Sequence, residues 1–290
     1  MRMVVKDEMS GWREILYFMF RNRKFLIGLT IILIFVGLAL IGPYIVKYRP
    51  LEYSGPMGSP PSKEHWLGTT TFGQDVFSQL VYGLRSSFAV GIVGGGLATF
   101  IGLAIGFIAG YRGGLFDEIA MMFTNIMMVI PTLALLIIIA AYLPYRGIFI
   151  ESVIIGLTAW PWTARAVRAQ TLSLKTREFV NLARISGMKS VRIVVEEIMP
   201  NMMSYVFMVF ILQFGGAILA AVGLDFIGLG PTKGISIGLM MQNAVLWNAI
   251  QLRMWWWAVP PGAVITLIVG ALYFMNTGMD EVFNPKLREM

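Results

Sequence analysis

Gly234-Ile-Ser-Ile-Gly238 has the G-x-S-x-G spacing in which a serine on a sharp strand-to-helix turn is presented for nucleophilic attack. That chemistry needs a histidine base, and the chain has a single histidine, His65. No α/β sheet is readable around the serine, and nothing in the sequence brings His65 to Ser236, so the spacing lacks the context its chemistry requires. One histidine makes no metal site, and His65 reads as a loop residue that hydrogen-bonds locally. Because the chain has no cysteine, disulfide frameworks and Cys-based metal or redox centres are excluded. Of the twenty methionines, Met121-Met122, Met127-Met128, Met202-Met203 and Met240-Met241 are adjacent pairs. Neighbours on a helix do not share a face, so these read as packing or lipid-facing filler rather than a soft-metal path. There is no G-x-x-x-x-G-K-[ST], so the chain is not expected to bind ATP by a P-loop. No catalytic residue, metal ligand or bound cofactor is expected.

The elements that would position any site are apolar helices. Of the 290 residues 57% are hydrophobic and 13% charged, a balance that suits a lipid-facing surface and not a solvated one. The net charge of +7 invites a nucleic-acid reading, but the basic residues lie between apolar runs, as membrane anchoring demands. Six runs approach the ~20 residues that cross a bilayer, at about 25–46, 86–110, 119–143, 147–164, 201–224 and 256–276. With the N-terminus inside, the segments 1–24, 111–118, 165–200 and 277–290 hold sixteen Lys and Arg, against seven on the other side. The bias predicts both termini in the cytoplasm. The expected organisation is a cytoplasmic segment 1–24, a first span with its outer loop over 25–85, a five-helix core over 86–276 containing an inner loop 165–200, and a tail 277–290.

The spans are expected to hold no Asp, Glu, Lys, Arg or His, which argues against a proton-driven carrier. Backbone carbonyls at broken helices could still bind Na⁺, so an ion-coupled secondary transporter is the alternative reading and an intramembrane hydrolase a remote one. Gly91, Gly95, Gly102, Gly106 and Gly110 recur at four- and seven-residue intervals in the second span, which predicts a smooth helix face for close packing. Gln213, beside Gly215 and Gly216 in the fifth span, is a lone amide in an apolar run and a candidate for the translocation pathway.

The inner loop 165–200 is the most informative segment. Phe179, Val180, Ala183 and Ile185 recur at near-helical spacing, Gly187 suits a left-handed helix terminus, and Ser190 can cap a second helix from Val191. Two readings are open: a basic amphipathic segment on anionic headgroups, or two short helices meeting at a glycine corner that fits a partner.

At these residues the chain resembles the permease subunits of oligopeptide/dipeptide-type ABC importers, in particular the C-type partner of the permease pair. Gly187 and Pro200 have the spacing of that family's cytoplasmic motif, and Ile198-Met-Pro-Asn201 closes it. The family's Glu-Ala-Ala is here Asn181-Leu182-Ala183. His65 to Ser87, Gly110 to Asp117, Phe226-Ile-Gly-Leu-Gly230 and Asp280 with Asn284-Pro-Lys-Leu-Arg288 resemble further signatures. Departures are Gln74 for a usual arginine, Met122 and Asn125 for a common Arg and Asp, and Pro231 to Gly238 for a Pro-x-Trp-Gly turn. The last variant is similar to archaeal and thermophile members, whose peptide-type machinery often imports oligosaccharides. Trp247 and Trp255-Trp256-Trp257 could stack on sugars, although indoles at a membrane boundary more commonly form an interfacial belt.

The resemblance implies an all-α polytopic protein with six transmembrane helices and the type I importer fold in the cell membrane. It implies a second homologous permease subunit, two ATP-binding subunits that use ATP and Mg, and an extracytoplasmic solute-binding protein. It places the ATPase-docking corner at Asn181, Ala183, Arg184, Ser186, Gly187, Met188 and Lys189.

Overall fold

The computed structural model describes residues 19–283, with side chains to residue 281. Most of the predicted segment 1–24 and the Asn284–Arg288 part of the C-terminal signature lie outside the described residues. Within them the fold is all helical.

In chain order the main helices are α1 (Arg23–Ile45), α2 (Val76–Arg112), α3 (Gly114–Val129), α4 (Thr132–Tyr142), α5 (Ile148–Lys175), α6 (Glu178–Ile185), α7 (Ser190–Ile193), α8 (Met203–Phe226), α9 (Ile237–Leu246) and α10 (Trp255–Phe283). A π-helical turn over Val194–Ile198 and a single turn over Met199–Asn201 carry α7 into α8. Four helices, α1, α2, α8 and α10, are long and apolar enough to cross a membrane, and the bent pair α3–α4 makes five if it counts as one span.

The differences from the predicted spans have local causes. The second helix starts ten residues earlier than the apolar run because Asp75 caps it: the carboxylate accepts from the Ser78 amide at 2.7 Å and the Ser78 hydroxyl at 2.8 Å. The run 119–143 is two helices meeting at 83°. Pro131 has no N–H to continue the ladder and holds Ile130 in extended backbone (φ −74°, ψ 123°). The fourth run continues as helix to Lys175, so the first eleven residues of the predicted inner loop are the end of α5. The predicted outer loop 225–255 contains α9, which is capped by the Ser236 hydroxyl and buries Ile237, Met240 and Ala244.

The expectation that the spans hold no Asp, Glu, Lys, Arg or His is corrected by Glu151, which lies in the first turn of α5 inside the predicted run 147–164 and is buried. A single carboxyl does little to the mean hydropathy of an apolar run, so the run keeps its membrane-like profile.

Helix α1 lies along α10. A Cβ on Gly28 would stand 2.3 Å from the Ala271 carbonyl, and one on Gly278 would stand 2.6 Å from the Phe25 amide, so both glycines are required for this approach. At one end of the pair Glu281 accepts from Lys24 and from the Asn22 amide. The largest apolar cluster joins α1, α2, α8, α9 and α10 around Leu84, Ile218, Ile237, Ile268 and Trp257. The segment before α2 is fixed by Trp256, whose indole N–H donates to the Thr69 carbonyl at 3.2 Å, and by His65, whose Nδ1 lies 2.8 Å from Asp75.

Candidate functional site

The site is built around the corner between α6 and α7. Helix α6 is short and strongly two-sided. Val180 and Ala183 are buried in a cluster with Phe107 of α2 and Val167 of α5, while Leu182 and Ile185 point away from the bundle, 64% and 83% exposed. Val191 on α7 is 76% exposed. The helix ends in a Schellman motif: the Gly187 amide donates to the Arg184 carbonyl and the Met188 amide to the Ala183 carbonyl, both at 3.1 Å. Gly187 holds φ +76°, a conformation that a side chain makes costly, and no atom lies within 4 Å of where its Cβ would be. The corner is therefore fixed in shape from within and open on its outer side.

The residues predicted at this corner divide by role. Asn181, Arg184, Ser186, Gly187 and Lys189 are exposed and Met188 half-buried, while Ala183 is the packing contact. Asn181 accepts from Arg184 at 3.5 Å, and the Ser186 hydroxyl donates to the Leu182 carbonyl at 2.9 Å. Helix α7 starts at Ser190 itself, with Lys189 at the cap position and no side-chain cap, so Ser190 does not play the capping part its type suggested.

Two helices connect the corner to the rest of the bundle. Beside α6, the Arg168 guanidinium of α5 grips Asp117 of α3 with two bonds, Nε to Oδ1 at 2.5 Å and Nη2 to Oδ2 at 2.6 Å. One turn earlier Arg165 donates to Asn125, so the amide that stands for a common aspartate still ties α3 to α5. The glycine ladder of α2 has two partners. A Cβ on Gly102, Gly106 or Gly110 would reach within 2.4, 2.7 and 2.7 Å of Thr163, Val167 and Thr171 on α5. One on Gly91 or Gly95 would instead strike Phe214 on α8. The π-helical turn over Gly91–Gly95 lies at the switch between the two faces.

Gln213 is buried and joins α8 to α5. Its amide donates to the Ala159 carbonyl at 2.9 Å and the Thr163 hydroxyl at 2.6 Å. Gly215 faces Leu272, and Gly216 has nothing within 4 Å of where a Cβ would stand. Ser236 is occupied by structure: it donates to Asp225 and accepts from the Leu239 amide at 3.1 Å. His65 is engaged with Asp75 and stacked on Tyr48, its Nε2 turned toward Gly55, so the arrangement offers no Ser–His pair. Of the tryptophans, Trp256 and Trp257 are buried, while Trp66, Trp247 and Trp255 are exposed. Sequence reasoning missed that Glu151 of α5 and Asp225 of α8 are both buried, since burial depends on which helices lie opposite.

Residues 102–289 match the family described as binding-protein-dependent transport system inner membrane component, and residues 10–61 match the N-terminal transmembrane domain of oligopeptide transport permease C. The chain is 31% identical to the oligopeptide transport system permease protein OppC of Bacillus subtilis, over 99% of this chain and 93% of that protein. It is 32% identical to the dipeptide transport system permease protein DppC of the same organism, over 96% and 86% of the two chains. The DppC of Alkalihalophilus pseudofirmus is 33% identical over 96% and 91%. This likeness runs through the corner, the seams and the helices that flank them. The chain belongs to the binding-protein-dependent transport system inner membrane component family and is the multi-pass, non-enzymatic permease subunit of an ABC importer in the cell membrane.

Proposed function

We propose that this permease crosses the membrane six times with both termini in the cytoplasm, and that its Gly187 corner docks into a groove on an ATP-hydrolysing subunit. The observation that carries the reading is the two-sidedness of α6: Val180 and Ala183 lock it onto α2 and α5, while Leu182, Ile185 and Val191 leave an apolar face uncovered beside Arg184 and Lys189. The sixth span in this reading is α5. Its 28 residues span about 42 Å, enough to cross, and the basic residues of its second half would emerge on the cytoplasmic side.

In this scheme a second homologous permease completes the pathway, two ATPase subunits using ATP and Mg sit beneath, and an external solute-binding protein delivers cargo. Closure of the ATPase pair moves the docked corner, and α5 and α8, which leave it in opposite directions along the chain, carry that motion through the Gln213–Thr163 and glycine contacts. Gly216, open on its outer side, remains a candidate for the pathway, whereas Gln213 serves the α5–α8 contact.

The cargo we propose is a small oligomeric solute, with di- and oligopeptides first because the relatives are named for them. Of the tryptophans behind an oligosaccharide reading, Trp247 and Trp255 are exposed, whereas Trp256 and Trp257 are buried. Uptake of labelled peptides and labelled oligosaccharides into proteoliposomes containing the complete importer separates the two. ATP-dependent uptake of neither class would contradict the proposal.

A further inference from the structure

A cavity that the transport reading does not use lies where α1 ends and α2 begins. Its volume is about 40 Å³, room for roughly three water-sized groups. Ile45 at the end of α1, Tyr48 and Trp66 of the connecting loop and Phe77 in the first turn of α2 line it. The buried carboxylate of Asp75 belongs to the lining, and so do Lys47 and Glu64, which are both exposed.

Two of these charges are unpaired. Although Lys47 and Glu64 line the same cavity, neither is in a salt bridge or a side-chain hydrogen bond among the described residues. The loop around them is nevertheless held in place. Trp66 packs on Phe77 with ring centroids 4.9 Å apart, and Tyr48 stacks on His65 at 5.0 Å. His65 is in turn tied to Asp75 at 2.8 Å, and Asp75 accepts from the Ser78 amide and hydroxyl. Aromatic side chains beside carboxylates suit an organic ammonium, because ring faces attract a cation and a carboxylate accepts its N–H groups. The Lys47 ammonium suits a phosphate. A zwitterion that carries an ammonium next to a phosphate answers both.

The helix surface leading to the cavity is apolar. Ile34, Ile41 and Ile45 fall on one stripe of α1 and are each more than half exposed, and Ile45 is itself part of the cavity lining. Because α1 is long and apolar enough to cross a membrane, this stripe offers acyl chains a track that ends at a polar cavity. We infer that the cavity binds the headgroup of a zwitterionic phospholipid. The ammonium lies among Tyr48, Trp66 and Phe77 beside Glu64 and Asp75, the phosphate meets Lys47, and the chains run down α1. That the lipid belongs to the outer leaflet rests on the orientation proposed above; the binding itself does not.

The test uses the full chain in detergent and no ATP-dependent readout, so its failure is distinct from failure of the transport proposal. The chain is titrated with dioleoylphosphatidylethanolamine or dioleoylphosphatidylglycerol, and bound lipid is counted by native mass spectrometry. The wild type should hold the ethanolamine lipid about threefold to tenfold more tightly than the glycerol lipid, which has the phosphate but no ammonium. Glu64→Gln and Trp66→Leu, both at exposed positions, should each erase most of that preference, whereas Lys47→Gln should weaken both lipids alike. Glycerophosphoethanolamine, the headgroup without its chains, should not displace the bound lipid at equal concentration. Equal binding of the two lipids by the wild type, or a preference that survives in either Glu64→Gln or Trp66→Leu, overturns the inference. So does displacement by glycerophosphoethanolamine at equal concentration, which would make the occupant a soluble ammonium compound.

Discussion

Gln213 on α8 donates its side-chain amide to the Thr163 hydroxyl on α5 at 2.6 Å, and the same Thr163 is the residue against which Gly102 of α2 closes. Three helices thus meet at one threonine. Replacing Gln213 by Leu removes the polar tie and keeps the volume. The expected loss is about 1 kcal/mol, the usual worth of an interhelical hydrogen bond in a membrane, since Thr163 can turn its hydroxyl to a carbonyl of its own helix. Thermal unfolding in detergent measures it, and an unchanged midpoint would show that the contact adds nothing.

The glycine ladder predicts a steep contrast within one helix. In Gly106→Ala the new methyl would lie 2.7 Å from Val167 Cβ and 2.8 Å from the Ala164 carbonyl, so α2 and α5 must separate. A loss of about 1–3 kcal/mol is expected from such overpacking. Gly96→Ala has nothing within 4 Å and should be neutral or stabilising by up to about 1 kcal/mol through helix propensity. Equal shifts in the two variants would contradict the close-packed seam.

Arg168 and Asp117 offer a test of how α3 is held to α5. The two-pronged geometry makes lysine a poor substitute, so Arg168→Lys should lose most of what Arg168→Ala loses. With the guanidinium partly exposed, the loss is about 1–2 kcal/mol after allowance for screening. A double-mutant cycle with Asp117→Asn measures the coupling, and strictly additive effects would remove the pair from the account.

Ser236→Ala distinguishes a helix cap from a nucleophile. Loss of the cap to Leu239 should destabilise the α9 segment by about 1 kcal/mol while ATP-driven uptake persists. Abolished uptake at normal expression and folding would give Ser236 a role beyond capping.

Where the chain's plan could be read from sequence, the signal was local. Gly187 announced a left-handed helix end, and the structure places it there with both bonds of a Schellman motif. The apolar runs marked α1, α8 and α10 closely because a membrane helix is defined by its own residues. The π-helical turn at Gly91–Gly95 and the switch of the glycine ladder from α8 to α5 could not be read, since both depend on which helix lies opposite. The break at Pro131 was legible in principle, but the uninterrupted apolar run on either side outweighed one proline. Glu151 stands in the run 147–164 and was legible there as a carboxyl; its burial was not, since that depends on the helices packed around it.

The central claim is that the Gly187 corner transmits the work of an ATPase subunit to the bundle. In proteoliposomes holding the complete importer, Gly187→Val places a β-branched residue at φ +76° on an open surface, which should distort the corner without touching the bundle. Gly187→Asn, which tolerates that conformation, serves as the control. The decisive measurement is solute transported per ATP hydrolysed. The account predicts a sharp fall in Gly187→Val, with membrane insertion intact and near-normal coupling in Gly187→Asn. Unchanged coupling in Gly187→Val would contradict it.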